Sequence, residues 1–133
     1  MSTFSLQIVT PDGSFFDGDA EKLIVRTVGG DVCILARHCD YVTALGMGEA
    51  QIFTESGKRS AACIGGMLAV TGGRVRLVPT TFEWADQIDT ERASRSEAKA
   101  RELLAQKLSK QELELAEARL KRALVRSSVA KHI

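Results

Sequence analysis

The chain has 133 residues, of which 44% are hydrophobic and 26% charged, and its formal net charge at pH 7 is +1. This size and composition are typical of one globular domain, or of one compact domain with an appendage. No apolar stretch approaches the about 20 residues needed to cross a bilayer, so we expect membrane association only through a partner.

Residues 1–87 predict a domain of short β-strands. In FSLQIVT, residues 4–10, hydrophobic and polar residues alternate, and Pro11-Asp12-Gly13 then supplies a turn. Further short apolar segments follow between turns, many of which contain glycine: residues 23–27, 32–35, 41–45, 50–55, 60–64, 67–71 and 74–78. Regularly spaced short strands predict an antiparallel β-sandwich or a barrel-like domain.

No recognisable catalytic motif occurs in the sequence. SGKR, residues 56–59, contains Gly-Lys but lacks the upstream glycine and the following Ser or Thr of a phosphate-binding P-loop. GxGxxG, HExxH and a Ser-His-Asp order in a plausible elbow are also absent. We therefore expect the glycines to be turn residues, and we do not expect an enzyme that acts alone.

The three cysteines, Cys33, Cys39 and Cys63, form no CxxC motif and are odd in number, which argues against a disulfide framework. Because their neighbours are apolar or small, we expect buried or half-buried reduced thiols. A metal site would recruit His38 beside Cys39, but no other ligand stands at suitable spacing, so no metal is predicted.

From Ile88 onward the hydrophobic period becomes helical. One face of a first helix carries Ala93, Ala100, Leu104 and Leu108, and roughly the opposite side carries Arg92, Arg95 and Lys99. Residues 109–112, SKQE, have the pattern of a capping box, so a second helix is expected to begin there. The sequence thus predicts an α+β protein in which an N-terminal antiparallel β-sandwich, residues 1–87, precedes a C-terminal two-helix hairpin, residues 88–133.

The second helix has apolar residues on two sides. One side carries Leu113, Ala116, Leu120, Ala123 and Leu124, and the other carries Leu115, Ala118, Val125 and Val129. Such a helix needs two partners: the first helix, and then the β-domain, a contact made in another conformation, or another protein. Because alanine dominates, little area is buried per residue, and we expect a weakly held hairpin that can move.

The two parts carry opposite charge. Residues 1–87 contain 7 Lys/Arg against 10 Asp/Glu, a net charge of −3, whereas residues 88–133 contain 11 against 7, a net charge of +4. The basic part has no aromatic residue to stack on bases. We therefore expect it to meet an acidic protein surface or a nucleotide phosphate rather than nucleic acid.

Four segments in order along nearly the whole chain resemble the ε subunit of F-type ATP synthases. They are FSLQIVTPDGSFFDGDAEKLIVRT, GGDVCILARH, IGGMLAV and IDTERA. The sequence departs from the family where Ala36-Arg37 replaces a Pro-Gly before His38, where Cys33 replaces a glycine, and where Ile64 replaces a serine.

The resemblance implies a non-catalytic central-stalk subunit that needs no cofactor. Its sandwich would link the γ subunit to the ring of c subunits and so couple ion translocation to ATP synthesis. Asp31 matches an acid near the ring-facing loop, and His38 matches a position on the γ-facing side. MSTFSLQIVTPDG lacks a secretory or transit pattern, so we expect a peripheral protein at the cytoplasmic face of a bacterial membrane.

The resemblance also implies that the hairpin changes position. It would lie against the sandwich, or extend along γ towards the α and β subunits and there inhibit ATP hydrolysis. Arg119, Arg122 and Arg126 would then suit an acidic surface of those subunits.

IDTERA matches the family motif I-D-x-x-R-A, which in some bacterial members helps to bind ATP in the compact form. The resemblance therefore implies an ATP site at matched positions: Glu83, Ile88, Asp89, Arg92, Ala93, Arg122 and Arg126. Arginines would contact the phosphates, the acids would contact polar base or ribose groups, and Ile88 and Ala93 would face the adenine. Lys99 stands where ATP-binding relatives tend to have arginine, and an ideal wheel places Arg92 away from the alanine face of its helix.

Three alternatives stay open at this point. IDTERA can be an ordinary helix start with Asp89 as the N-cap. The chain can be a free-standing helical-hairpin adaptor that dimerises through the second helix. It can also be a small nucleotide hydrolase with Glu83 or Asp89 as the base.

Overall fold

A computed structural model of the protein describes residues 2–131. These residues form ten β-strands, a short 3-10 turn at Ala85–Gln87 and two α-helices. The strands are β1 (Phe4–Thr10), β2 (Gly13–Ala20), β3 (Lys22–Thr27), β4 (Gly30–Leu35), β5 (Tyr41–Ala44), β6 (Met47–Thr54), β7 (Gly57–Ile64), β8 (Met67–Thr71), β9 (Arg74–Val78) and β10 (Thr81–Trp84). The helices are α1 (Thr90–Leu104) and α2 (Lys110–Ala130).

The strands form two five-stranded sheets, which we call sheet A and sheet B. Sheet A has the strand order β2-β1-β9-β8-β5, and sheet B has the order β10-β7-β6-β3-β4. The predicted β-sandwich followed by a two-helix hairpin is confirmed. All neighbouring strands run antiparallel except β1 and β9, which pair in parallel, a detail that the spacing of short strands does not reveal.

The core lies between the inner faces of the two sheets. In β1 the alternation places Leu6 and Ile8 inward, both fully buried, while Ser5 faces outward. Leu23 of β3 and Leu77 of β9 are fully buried as well. Burial of each such side chain contributes about 1.5–3 kcal/mol to stability, so the sandwich has a substantial apolar core of its own.

Two strands, β2 and β10, were not among the predicted segments. In β10 the pattern TFEW places Phe82 and Trp84 in the core, and their rings meet edge to face at 5.0 Å. Because β10 pairs with β7, Glu83 points to the outer face of sheet B beside Ala62. Residues 81–84 therefore position a charged side chain opposite the hairpin.

The predicted helix starts are confirmed by their caps. Asp89 accepts a hydrogen bond from the Arg92 backbone N–H at 3.0 Å. Ser109 Oγ accepts one from the Glu112 N–H at 3.3 Å and donates to the Glu112 carboxylate at 3.0 Å. These contacts satisfy backbone donors that the first turn of a helix leaves free.

The helices pack through small residues. Ala93 and Ala100 of α1 and Ala116 and Ala123 of α2 are buried in the hairpin. α2 also lies against β6, β7 and the 3-10 turn. There, a second apolar cluster joins the hairpin to the sandwich: Ala62, Ala85, Ile88, Val129 and Ala130, with Val125 against them.

The second apolar side of α2 is covered in part. Val125 and Val129 meet the sandwich, whereas Leu115 on the same side is 71% exposed.

The prediction of buried or half-buried thiols is right for Cys63 and wrong for Cys33 and Cys39. Cys63 lies in the core, where burial raises the pKa of its thiol to about 12. Cys33 is exposed because it points outward from β4, the edge strand of sheet B, and α2 lies over β6 and β7 instead. Cys39 is exposed in the loop between β4 and β5.

Candidate functional site

A cavity of about 560 Å³ lies where β10, α1 and α2 meet. Its lining comes from both parts of the chain: Asp12, Thr81, Phe82, Glu83, Gln87, Asp89, Arg92, Ala93, Ser96, Arg119, Arg122, Ala123 and Arg126. Because the sandwich and both helices contribute to its walls, this cavity exists only while the hairpin lies against the sandwich.

The cavity wall includes an ion pair between the two parts. Arg126 Nε of α2 donates to Glu83 Oε1 of β10 at 2.5 Å. The Glu83 side chain is 33% exposed and that of Arg126 is 26% exposed, so water screens this pair less than it screens a surface pair. This contact holds α2 to the outer face of sheet B and neutralises one arginine of the cavity.

The N-terminus of α1 opens onto the same cavity. Asp89 caps the helix and also lines the cavity, so the helix-start interpretation and the ligand interpretation of IDTERA are compatible. The positive end of the helix dipole adds a favourable field for an anion there.

Arginines from both helices converge on the cavity. Arg92 comes from α1, while Arg119, Arg122 and Arg126 follow each other on one face of α2 at helical spacing. Arg92 joins this group although an ideal wheel places it away from the alanine face, and Ala93 and Ala123 line the same cavity. Among the described residues, no acid lies within ion-pair distance of Arg92, Arg119 or Arg122.

The cavity is suited to an elongated anion with an apolar end. Its lining has four arginines against three acids, Asp12, Glu83 and Asp89, and Arg126 is engaged with Glu83. Ala93 and Ala123 of the lining provide apolar contact, and Thr81, Gln87 and Ser96 provide hydrogen-bonding groups.

One predicted ligand position, Ile88, lies outside this cavity. Ile88 is 8% exposed and belongs to the apolar cluster beneath α2, where it supports the wall. Lys99 does not line the cavity either. Conversely, Asp12, Thr81, Gln87 and Ser96 line it and were not predicted. Ser96 is four residues after Arg92 and therefore lies on the same face of α1. This spacing is the one feature of the sequence that would have predicted Ser96 as a lining residue.

Asp31 and His38 also lie apart from the cavity lining. Asp31, at the start of β4, pairs with Arg26 at 2.6 Å, and the hydrogen bond and charge of Asp31 raise the pKa of that guanidinium. His38 stands in the loop before β5, where its Nδ1 lies 2.7 Å from the Cys39 carbonyl oxygen. Asp40 anchors this loop by accepting a hydrogen bond from the Gly72 N–H at 3.0 Å.

Within residues 2–131, no helix is both long and apolar enough to cross a bilayer. In the same part of the chain, no group of three or more His, Cys, Asp or Glu side chains is arranged to hold a metal ion.

Family models assign both parts of the chain to one class of protein. Residues 3–85 match the model described as "ATP synthase, Delta/Epsilon chain, beta-sandwich domain". Residues 86–131 match the model described as "ATP synthase, Delta/Epsilon chain, long alpha-helix domain". The fold thus defines a delta/epsilon-type chain of an ATP synthase.

Curated relatives specify the family further. The chain is 42% identical over 131 residues to the ATP synthase epsilon chain of Ruminococcus albus, covering 98% of each sequence. It is 37% identical over 134 residues to that of Shouchella clausii, covering 99% of this chain and 98% of the relative. The chain therefore belongs to the family of ATP synthase epsilon chains, the non-catalytic stalk subunits of that complex.

Solved structures show the same fold. A chain in the Euglena gracilis mitochondrial ATP synthase, in a structure of OSCP, F1 and c-ring, matches with a TM-score of 0.85 and 21% identity, covering 99% of this chain and 83% of that one. A chain in the central stalk and c-ring of the Tetrahymena thermophila mitochondrial enzyme matches with a TM-score of 0.71 and 11% identity, covering 95% of each.

Proposed function

We propose that this chain links the γ subunit to the c-ring in the rotor of a bacterial F1Fo ATP synthase, at the cytoplasmic face of the membrane. Family membership supports this role over a free-standing adaptor or a nucleotide hydrolase. The sandwich would carry the rotor contacts and so couple ion translocation to ATP synthesis, and the hairpin would regulate hydrolysis.

The outer face of sheet A supplies a surface for γ. Ala44, Met67 and Val78 are aligned across the neighbouring strands β5, β8 and β9, and Met67 and Val78 are 51% and 40% exposed. Val42, 60% exposed, extends this patch along β5. Exposed apolar residues that are contiguous on one sheet face are typical of a protein interface, and His38 precedes the same strand.

Co-purification of the full chain with γ tests this surface. Val42→Asp combined with Met67→Asp should abolish retention of γ, since two carboxylates would be buried in the interface. Ser56→Asp, in the exposed turn between β6 and β7, is the matched control and should retain γ. Retention of γ by the double variant would refute the placement.

We propose that ATP binds in the cavity between the sandwich and the hairpin. The supporting observation is that β10, α1 and α2 build this cavity together. A ligand held there has higher affinity for the compact state than for an extended one, and it shifts the equilibrium by that difference.

The chemistry of the walls fits a nucleotide. Arginine guanidinium groups bind phosphates in bidentate geometry. Glu83 and Asp89 stand where they can accept hydrogen bonds from a base or ribose, and Ala93 and Ala123 offer apolar contact.

In the extended state this cavity is dismantled. Arg119, Arg122 and Arg126 would then be released towards an acidic surface of the α and β subunits, where the hairpin would inhibit hydrolysis. Such a contact would weaken as salt rises.

Calorimetric titration of the full chain with ATP tests the site. We expect saturable binding that Arg92→Ala weakens by about tenfold or more, because a charge-assisted hydrogen bond is lost. Arg95→Ala is the control, since Arg95 is one turn further along α1 and does not line the cavity. Absence of binding by the folded wild type would leave IDTERA as a helix start alone.

A further inference from the structure

We propose that Arg119 is a phosphate ligand of this cavity and sets its preference for the nucleoside triphosphate, whereas Arg126 is a positioning residue that fixes α2 to the sandwich. This inference rests on the ATP site proposed above. It assigns different tasks to arginines that lie on one face of the same helix.

Arg126 is already engaged. Its Nε donates to Glu83 at 2.5 Å, and both side chains are about two-thirds or more buried. Turning Arg126 towards a phosphate would leave the Glu83 carboxylate without this partner beside a second anion, which is unfavourable in a partly buried place. Arg126 therefore contributes to nucleotide binding by keeping the cavity assembled.

Arg119 is available. It lines the cavity, it is exposed to solvent, and none of the described acids lies within ion-pair distance of it. Glu112, about two turns before Arg119 and on the same face of α2, is engaged with Ser109 in the helix cap. The guanidinium of Arg119 thus remains free to receive an anion.

The position of Arg119 along α2 determines which phosphate it meets. Arg126 lies at the sandwich, and Arg122 and Arg119 follow at greater distances from it, with a rise of about 1.5 Å per residue. If the base lies at the sandwich end of the cavity, beside Thr81 and Gln87, the phosphate chain runs outward past Arg92 and Arg122, and its last phosphate lies nearest Arg119. Arg119 therefore distinguishes ligands by the number of their phosphates.

No other cation of α1 takes this place. Arg95 lies 3.9 Å from Glu91 in a loose ion pair, and neither Arg95 nor Lys99 lines the cavity. The phosphates would therefore be held by Arg92 of α1 and by Arg119 and Arg122 of α2. A ligand bound in this way would link the two helices.

The test is a calorimetric titration of the full chain with ATP, ADP and AMP. Arg119→Ala should weaken ATP binding by about tenfold or more and leave AMP binding within about twofold. Arg119→Lys should give an intermediate ATP affinity, because it keeps the charge and loses the fork. Arg95→Ala is the matched control and should leave all three affinities within about twofold.

Arg126→Ala should behave differently. It lowers the population of the compact state, so the apparent affinities for ATP, ADP and AMP should fall by one common factor.

The outcomes separate this inference from the site itself. Equal losses of ATP and AMP affinity in Arg119→Ala, or no loss of either, would overturn the assignment of Arg119 while leaving the ATP site intact. A loss in Arg126→Ala that is confined to ATP would overturn the assignment of Arg126. A wild-type chain that binds none of the three nucleotides would refute the ATP site, and this inference with it.

Discussion

The sandwich and the hairpin are held together by different kinds of side chain. Between the sheets, leucine, isoleucine and valine are fully buried, and Leu6, Ile8 and Leu77 are examples. Between α1 and α2 the buried residues are alanines, such as Ala100 and Ala123. A buried methyl group contributes about 0.8 kcal/mol, about two to four times less than a buried leucine, so the hairpin is the part that can separate at low cost.

The same contrast holds where the two parts meet. α2 is attached through Ala62, Ala85, Ile88, Val129 and Ala130, and through the ion pair of Glu83 with Arg126. This small apolar contact and one ion pair hold α2 against the sandwich. The attachment is weak enough that binding of a ligand can shift the equilibrium between attached and detached positions of the hairpin. In the sandwich, by contrast, loss of one large side chain affects the whole fold.

The largest expected effect is in the sandwich core. Leu6→Ala should lower the free energy of unfolding by about 2–5 kcal/mol, because it removes fully buried atoms and leaves a cavity. Denaturant unfolding followed by circular dichroism measures the change. Leu115→Ala, at a position 71% exposed on α2, is the matched control and should stay within about 0.5 kcal/mol. Similar losses in both variants would remove the contrast between the two regions.

The pH dependence of stability should also come from the sandwich. Burial raises the pKa of the Cys63 thiol from 9.0 to about 12, so the folded state keeps its proton where the unfolded state loses it. This contribution is complete below pH 9 and is lost as pH rises from 9 towards 12, with a slope of at most about 1.4 kcal/mol per pH unit. Urea unfolding at pH 8 to 10.5 should show this slope.

Cys63→Ala tests that assignment, since it should flatten the slope. Cys33→Ala, which changes an exposed thiol on β4, should leave the slope unchanged. A slope that persists in Cys63→Ala would mean that other groups cause it.

A smaller and more local effect is expected where the two parts meet. Val129→Ala removes two buried methyl groups between α2 and the sandwich, at a cost of about 1.5 kcal/mol. Amide hydrogen exchange should then become faster in α2, while the amides of β1 keep their protection. Val28→Ala, in a turn where Val28 is 71% exposed, should change neither. Uniform acceleration across the chain would mean that hairpin and sandwich open together.

The ion pair contributes less to this attachment than the apolar cluster. Glu83→Gln keeps the shape of the side chain and removes its charge, so we expect a loss of about 1 kcal/mol, visible again as faster exchange in α2. The effect should shrink in high salt, where the wild-type pair is screened. Glu55→Gln, in the exposed turn between β6 and β7, should have no effect.

Patterns along the chain predict which face of an element is buried, and they do so well here. The alternation in FSLQIVT predicts the inward Leu6 and Ile8, and the same alternation in TFEW would have predicted β10. The capping residues Asp89 and Ser109 predict both helix starts. These features are local, so a single sequence contains them.

Relations between distant elements are different, because no local pattern says which element covers a given face. The parallel pairing of β1 with β9 is one example. Convergence of Arg92 with the arginines of α2 is another, since it depends on how the hairpin lies on the sandwich. The exposed Cys33 is a third, because its exposure follows from which strands α2 covers. The division into two domains, residues 1–87 and residues 88–133, stays a prediction.

The smallest expected effect concerns the loop that carries His38. Arg37 adopts a φ of 64°, a left-handed conformation that costs a residue with a Cβ about 1–2 kcal/mol and glycine almost nothing. Arg37→Gly should therefore stabilise the sandwich by about 0.5–1 kcal/mol, after the greater flexibility of glycine in the unfolded chain is subtracted. Arg74→Gly, in the regular strand β9, should destabilise the sandwich. Urea unfolding should therefore show changes of opposite sign in the free energy of unfolding of the two variants. If both variants lose stability, contacts of the Arg37 side chain outweigh the cost of its left-handed backbone conformation, and the expected gain is refuted.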